Sequence, residues 1–197
     1  MISMGYGLFM NNIISMKAKV LVQSMLLTTV LLCCSCCSKD NMIAQIDREE
    51  TYPEAPGTLA IVYNSLDEIE KDADKIIYGN IENTEIEYLD GLPQTHTFVR
   101  IKESVKGGLP EGKIVEIIEE GGYEGVVMGG IPQMAINSEF CLFLTEDRGN
   151  YYICGAFQGR FIIRSGYVFQ QATEDVKLKG YRPVEKNVFL NMLKLSE

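Results

Sequence analysis

The sequence predicts a mainly β protein: a small barrel or sandwich with a short helix near the domain start and a C-terminal helix. Three observations carry this. Short segments of period-two hydrophobicity recur along the second two thirds of the chain. Glycine-bearing turns separate them. Helical spacing occurs at the two ends only, which places the helices outside a run of strands.

The elements follow in order. Thr58-Leu59-Ala60-Ile61-Val62-Tyr63 is β-prone and short. Ser65-Leu66-Asp67-Glu68 has capping-box spacing, with Ser as N-cap and Glu at N3. Leu66, Ile69, Ala73 and Ile76 continue at helical spacing, and Asp67, Glu68, Glu70 and Asp72 suit the positive N-terminal end of a helix of about ten residues. Ile76 to Ile81 and Thr84 to Tyr88 alternate as a strand does, and Leu92-Pro93 breaks the pattern. Thr97, Val99 and Ile101 alternate with Phe98, Arg100 and Lys102 as a half-buried strand. Lys106 to Gly112 is a turn, and Ile114 to Ile118 a strand. A glycine-rich stretch, Gly121 to Gly130, follows. Phe140 to Leu144 and Tyr151 to Cys154 make a hairpin across Asp147 to Asn150, and Phe161 to Ile163 and Tyr167 to Phe169 another across Ser165-Gly166. Pro183 at a first helical position opens the last helix, with Val184, Val188, Met192 and Leu195 on one docked face.

Composition excludes several functions. The chain has 197 residues, with 46% hydrophobic and 23% charged, enough for a folded core. The net charge of −9 lacks the basic footprint of a nucleic-acid binder. A single histidine, His96, excludes multi-histidine metal sites. Neither a cofactor loop nor a metal cluster is evident: the glycine stretch lacks G-K-[ST], and no D-x-[DN]-x-[DN]-G loop occurs. No catalytic residue is assigned.

The N-terminus reads as an address. Met16-Lys17-Ala18-Lys19 is basic, and Val20 to Leu32 is mostly apolar. Cys33-Cys34-Ser35-Cys36-Cys37 follows. A basic start, an apolar run of ~7–15 residues and a small-residue zone make a secretory signal. A run that ends in cysteine resembles a bacterial lipobox, which implies lipidation of Cys34 or Cys36. Leu31 lies three before Cys34, and small Ser35 directly precedes Cys36. The alternative, a membrane span, meets a length problem: the run covers roughly 20 Å of a ~30 Å hydrocarbon core. Met16 makes a better start than Met1. Residues 1–37 are therefore signal and lipidation region, 38–57 a polar, Pro-containing tether, and 58–197 a single domain. Cleavage before Cys36 removes Lys17 and Lys19, so 18 basic residues become 16 against 27 acidic, a net −11.

Ala73 to Gly79, Val105-Lys106-Gly107, Gly121-Gly122, Phe140 to Leu144 and Gln158-Gly159-Arg160-Phe161 together resemble an uncharacterised β-rich domain of exported bacterial proteins. The resemblance covers roughly residues 66–170. It implies an OB-like five-stranded barrel, the shape of netrin-type and metalloproteinase-inhibitor modules. The inhibitors' own motif, a metal-chelating N-terminal cysteine with a free amine, is missing.

Two pairs of residues remain as candidates. His96 and Arg160 are candidate ligand contacts, against a strand-end histidine and an arginine paired to an acidic neighbour. Cys141 and Cys154 stand opposite each other if the turn centres on Asp147-Arg148, which would suit a disulfide. Buried as free thiols, they would be small hydrophobes instead. The expected function is a non-catalytic binding or interaction module of the cell envelope, held by its lipid on the outer face of the cytoplasmic membrane. Its partners would be that membrane and another envelope protein. The alternative is an extracytoplasmic enzyme or a protease-inhibitor-like module.

Overall fold

The computed structural model describes residues 61–195 except 123, 124, 126, 128 and 129. These fall within one compact unit. The signal, Cys34, Cys36, the tether and Thr58 to Ala60 lie outside the described residues.

Helix α1, Leu66–Asp72, starts where the capping box predicts. Ser65 Oγ accepts from the Glu68 N–H at 3.2 Å, and Glu68 Oε2 reaches back to the Asn64 N–H at 2.7 Å. The helix has seven residues rather than about ten, because Ala73 is already extended. The Asp74 N–H then donates to Leu144 O at 2.8 Å, so the chain is recruited by the sheet before another turn can form.

Eight strands follow: β1 Lys75–Leu89, β2 Leu92–Lys106, β3 Ile114–Glu120, β4 Glu139–Asp147, β5 Asn150–Ile153, β6 Arg160–Arg164, β7 Tyr167–Gln170 and β8 Val184–Glu185. The order β1-β2-β3-β5-β4, with β4 also paired to β1, closes a ring of five. Every pairing in that ring is antiparallel except β3–β5, where Ile117 and Ile118 run beside Tyr151 and Tyr152. Strand β4 serves two layers. Its far end, Leu144 to Asp147, pairs with β5 and completes the barrel. Its near end, Glu139 to Leu142, pairs with β6, from which β7 and β8 extend outward.

The register shows which side chains share the interior. Ile77 pairs with Leu142, Gly79 with Phe140 and Ile101, and Val99 with Val115, and the side chains of this face are buried. Gly79 permits the close approach of β1 and β2: a Cβ there would lie 2.5 Å from Arg100 O. Sequence alternation of period two thus becomes a closed apolar core.

A second core lies outside the barrel wall. Phe161 stands 5.1 Å from Phe143, 5.3 Å from Tyr181 and 5.4 Å from Phe189, centroid to centroid. Such tilted and edge-on contacts are favourable beyond their buried area. Phe189 belongs to helix α2, Lys186–Leu195.

Three details differ from the sequence reading. Pro93 lies inside β2, opposite Tyr88, and the break is the Asp90-Gly91 turn between Leu89 and Leu92. Pro183 does not open α2, because Val184 and Glu185 first pair with β7. The docked face of α2 is Phe189, Leu190 and Leu193, whereas Val188, Met192 and Leu195 are exposed. Both stripes have helical spacing, and the one with the aromatic ring matches the cluster around Phe161.

Candidate functional site

Arg160 is fully buried despite its charge. It opens β6 opposite Leu142, so its side chain joins the interior face. Its guanidinium lies 5.9 Å from the centre of the Phe140 ring. Nη1 donates to Glu119 Oε1 at 3.0 Å; Nη2 donates to Pro132 O and Gln171 Oε1, each at 2.8 Å. One side chain therefore links β6, the end of β3, the β3–β4 loop and the segment after β7.

Glu119 is its acidic partner, opposite Thr95 at the end of β3. Burial pushes its carboxyl above the ordinary range, and Arg160 pulls it back by charge and hydrogen bond. Glu119 Oε2 and Arg160 Nε have no hydrogen-bond partner within the described residues. Unpaired buried polar atoms are uncommon and costly.

Glu119 also lines a cleft of about 410 Å³. Ile118, Val127, Ile153 and Phe157 supply apolar wall, Tyr63 and Tyr152 aromatic wall, and Glu120 and Thr145 further polar groups. Among the described residues that line it, none is Lys, Arg or His. Its floor near the 154–157 turn is fixed by Gln158. Gln158 Oε1 accepts from the Tyr63 N–H at 2.8 Å, while Nε2 donates to Tyr63 O at 2.9 Å and Val176 O at 2.6 Å. The Gln158 carbonyl in turn accepts from Gln170 Nε2 at 2.9 Å. A buried amide satisfied on both sides holds the cleft's edge in one position.

His96 is elsewhere. Its neighbours in β2, Thr95 and Thr97, are buried on the inner face, so His96 faces outward. Nδ1 lies 2.6 Å from Glu116 Oε1 and Nε2 3.8 Å from Glu87 Oε2. The barrel wall separates it from Arg160, and the two candidate ligand contacts form no common site. Arg160 has the paired-arginine arrangement weighed in the sequence.

Cys141 and Cys154 are buried free thiols. The hairpin turns at Arg148-Gly149, both left-handed with φ of 51° and 88°, and Asp147 pairs with Asn150. That two-residue turn matches strand twist and sets the register. It carries Cys154 to Phe143, whose carbonyl accepts its N–H at 2.9 Å, while Cys141 sits between Tyr78 and Phe161. The disulfide expected from a turn at Asp147-Arg148 is therefore not formed. Burial pushes the Cys154 thiol up to about 12, and Cys141 higher still.

Glu119 escaped the sequence reading, although a signal existed. Val115, Ile117 and Glu119 alternate onto one face, so a carboxylate continues an inward apolar row. Among the described residues no group of three or more His, Cys, Asp or Glu is placed to hold a metal ion. No helix among them is long and apolar enough to cross a membrane. No family model matches the chain, and no curated protein matches it.

Proposed function

We propose that this chain is a non-catalytic binding module of the bacterial cell envelope, with a small-molecule site in the cleft beside Glu119. The observation that carries the reading is that cleft: about 410 Å³, with mainly apolar walls and the polar groups of Glu120 and Thr145. Concave, mostly apolar pockets with few polar groups are the usual form of small-ligand sites. The closed five-stranded ring supports an OB-like barrel as the scaffold.

The apolar run ending in cysteine supports export and lipidation at Cys34 or Cys36, which would hold the domain on the outer face of the cytoplasmic membrane. Palmitate labelling of wild type, Cys34→Ala and Cys36→Ala tests the anchor. Label lost in one variant identifies the cysteine, and no label on any form overturns the anchor.

Native mass spectrometry of the full chain extracted from its own membranes tests the binding role. A small-molecule adduct in wild type that is lost in Thr145→Trp, which fills the cleft, supports it. Wild type without an adduct overturns it.

A further inference from the structure

We infer that the outer edge of β1, from Glu85 to Leu89, is a docking strand for an extended partner segment with basic residues on one face and apolar residues on the other. The inference goes beyond the cleft and uses none of its residues.

The edge is open among the described residues. Strand β4 pairs with β1 only from Lys75 to Asn80. Ile81 then bonds to Ser138 and Asn137, and Thr84 Oγ1 donates to Met134 O at 3.4 Å. From Glu85 onward β1 is paired on its β2 side alone. The hairpin turn fixes which backbone groups point outward. Asp90 and Gly91, with φ of 53° and 82°, form a two-residue turn. Leu89–Leu92 is then a hydrogen-bonded pair and Tyr88–Pro93 is not, in keeping with a proline that has no N–H to give. The alternation repeats at Glu87–Gln94 and Ile86–Thr95. The N–H and C=O of Ile86 and Tyr88 therefore face away from β2, where another strand can meet them. Strand edges are commonly shielded by Lys, Pro or a bulge. Glu85 to Leu89 has none of these, and the nearest register shift lies between Ile81 and Asn83.

The side chains select the partner. Glu85 and Glu87 project from one face, Ile86 and Tyr88 from the other, and all four are exposed. Arg100 is committed to Glu82 at 2.7 Å, and His96 lies 2.6 Å from Glu116 but 3.8 Å from Glu87. Glu85 accepts from Asn83 Nδ2 at 2.8 Å and has no cationic partner among the described residues. A second copy of this chain fits poorly. Antiparallel pairing of two such edges sets Glu87 of one against Glu85 or Glu87 of the other, on chains of net charge −9. A segment with Lys or Arg beside Glu85 and Glu87, and aliphatic residues beside Ile86 and Tyr88, matches the edge in charge and in apolar surface.

The probe is a labelled, end-blocked hexapeptide of alternating Lys and Val, added to the full chain in phosphatidylcholine nanodiscs. Fluorescence anisotropy reads the affinity, with empty nanodiscs as the blank. An antiparallel added strand meets Ile86 and Tyr88 with its valine N–H groups, since its lysines lie beside the glutamates. N-methylation of the valines should therefore weaken binding about tenfold or more, and N-methylation of the lysines about threefold or less. A peptide with the same residues in two blocks, and one of alternating Glu and Val, should each bind about tenfold or more weakly than the probe. Binding should slow hydrogen exchange at the Ile86 and Tyr88 N–H. Glu85→Lys together with Glu87→Lys should turn the preference to the Glu-Val peptide, and the wild-type ratios decide by themselves should that variant not fold. Equal loss on methylating either residue, equal binding of the block peptide, or unchanged exchange at Ile86 and Tyr88 overturns strand addition at this edge. Equal binding of the Glu-Val peptide overturns the basic partner. No binding above that of empty nanodiscs overturns the docking strand.

Discussion

Replacing Arg160 by methionine keeps most of the side-chain volume and removes the charge. Glu119 is then left buried, with both oxygens unpaired and the Phe140 ring facing an apolar chain. Breaking a buried ion pair from one side costs about 3–5 kcal/mol, because the remaining charge keeps its desolvation penalty. Against a total stability of ~5–15 kcal/mol the loss is large. It also depends on pH. Burial raises the Glu119 carboxyl and Arg160 lowers it, so the variant raises it further. A carboxyl raised in the folded state stabilises below its unfolded value, and that stability is lost as pH rises through the folded one. At low pH the variant therefore buries a neutral acid. What remains is the loss of bonds to Pro132 O and Gln171 Oε1, about 1 kcal/mol each. Urea unfolding of the full chain should give a destabilisation of about 4 kcal/mol at pH 7.5 and about 2 kcal/mol near pH 4.5. The double variant Arg160→Met with Glu119→Leu should return to wild-type stability or exceed it. A loss under about 1 kcal/mol at pH 7.5, or one that does not shrink with acid, would refute the pairing argument.

Other outcomes follow from the same geometry. Gln158→Ala removes three bonds that tie Tyr63 and Val176 to the 154–157 turn, and should cost about 2–4 kcal/mol in urea unfolding. Gly79→Ala places a methyl 2.5 Å from Arg100 O and should cost about 1–3 kcal/mol; an unchanged midpoint would show that β1 can move away. Peptide-level alkylation at pH 8 should leave Cys141 and Cys154 unlabelled in the folded chain and label both in denaturant, since both thiols are buried and held far above that pH. A Cys141–Cys154 disulfide peptide under non-reducing conditions would contradict the register. Ser65→Ala should cost about 1 kcal/mol by removing the acceptor for the Glu68 N–H.

Much of the barrel was legible because its information is local. Alternation in Thr97, Val99 and Ile101 marks a face whatever that face packs against, and the capping box at Ser65 needs only four residues. Where the choice depended on distant partners, the sequence was silent. Helix α2 carries two apolar stripes, and only the position of Phe161 and Tyr181 selects the one with Phe189. The Cys141 and Cys154 pairing failed on one residue of turn, since moving from Asp147-Arg148 to Arg148-Gly149 shifts every partner along the hairpin. The Arg160–Glu119 pair joins residues 41 apart, although each lay in a segment that could be read locally. The cleft draws its walls from β3, β4, β5, the loop at Val127 and the segment at Tyr63, which no single segment announces.

Methyl spectra of the full chain in nanodiscs, with 2-naphthol added as a small aromatic probe of the cleft, test the account where it is most exposed. The account predicts that the methyl signals of Ile118, Val127 and Ile153, in the cleft wall, move with the probe while those of Val99 and Ile101 in the barrel interior stay. Shifts concentrated instead at Ile86, Leu89 and Leu92, the exposed apolar side chains of the β1–β2 hairpin, would contradict it.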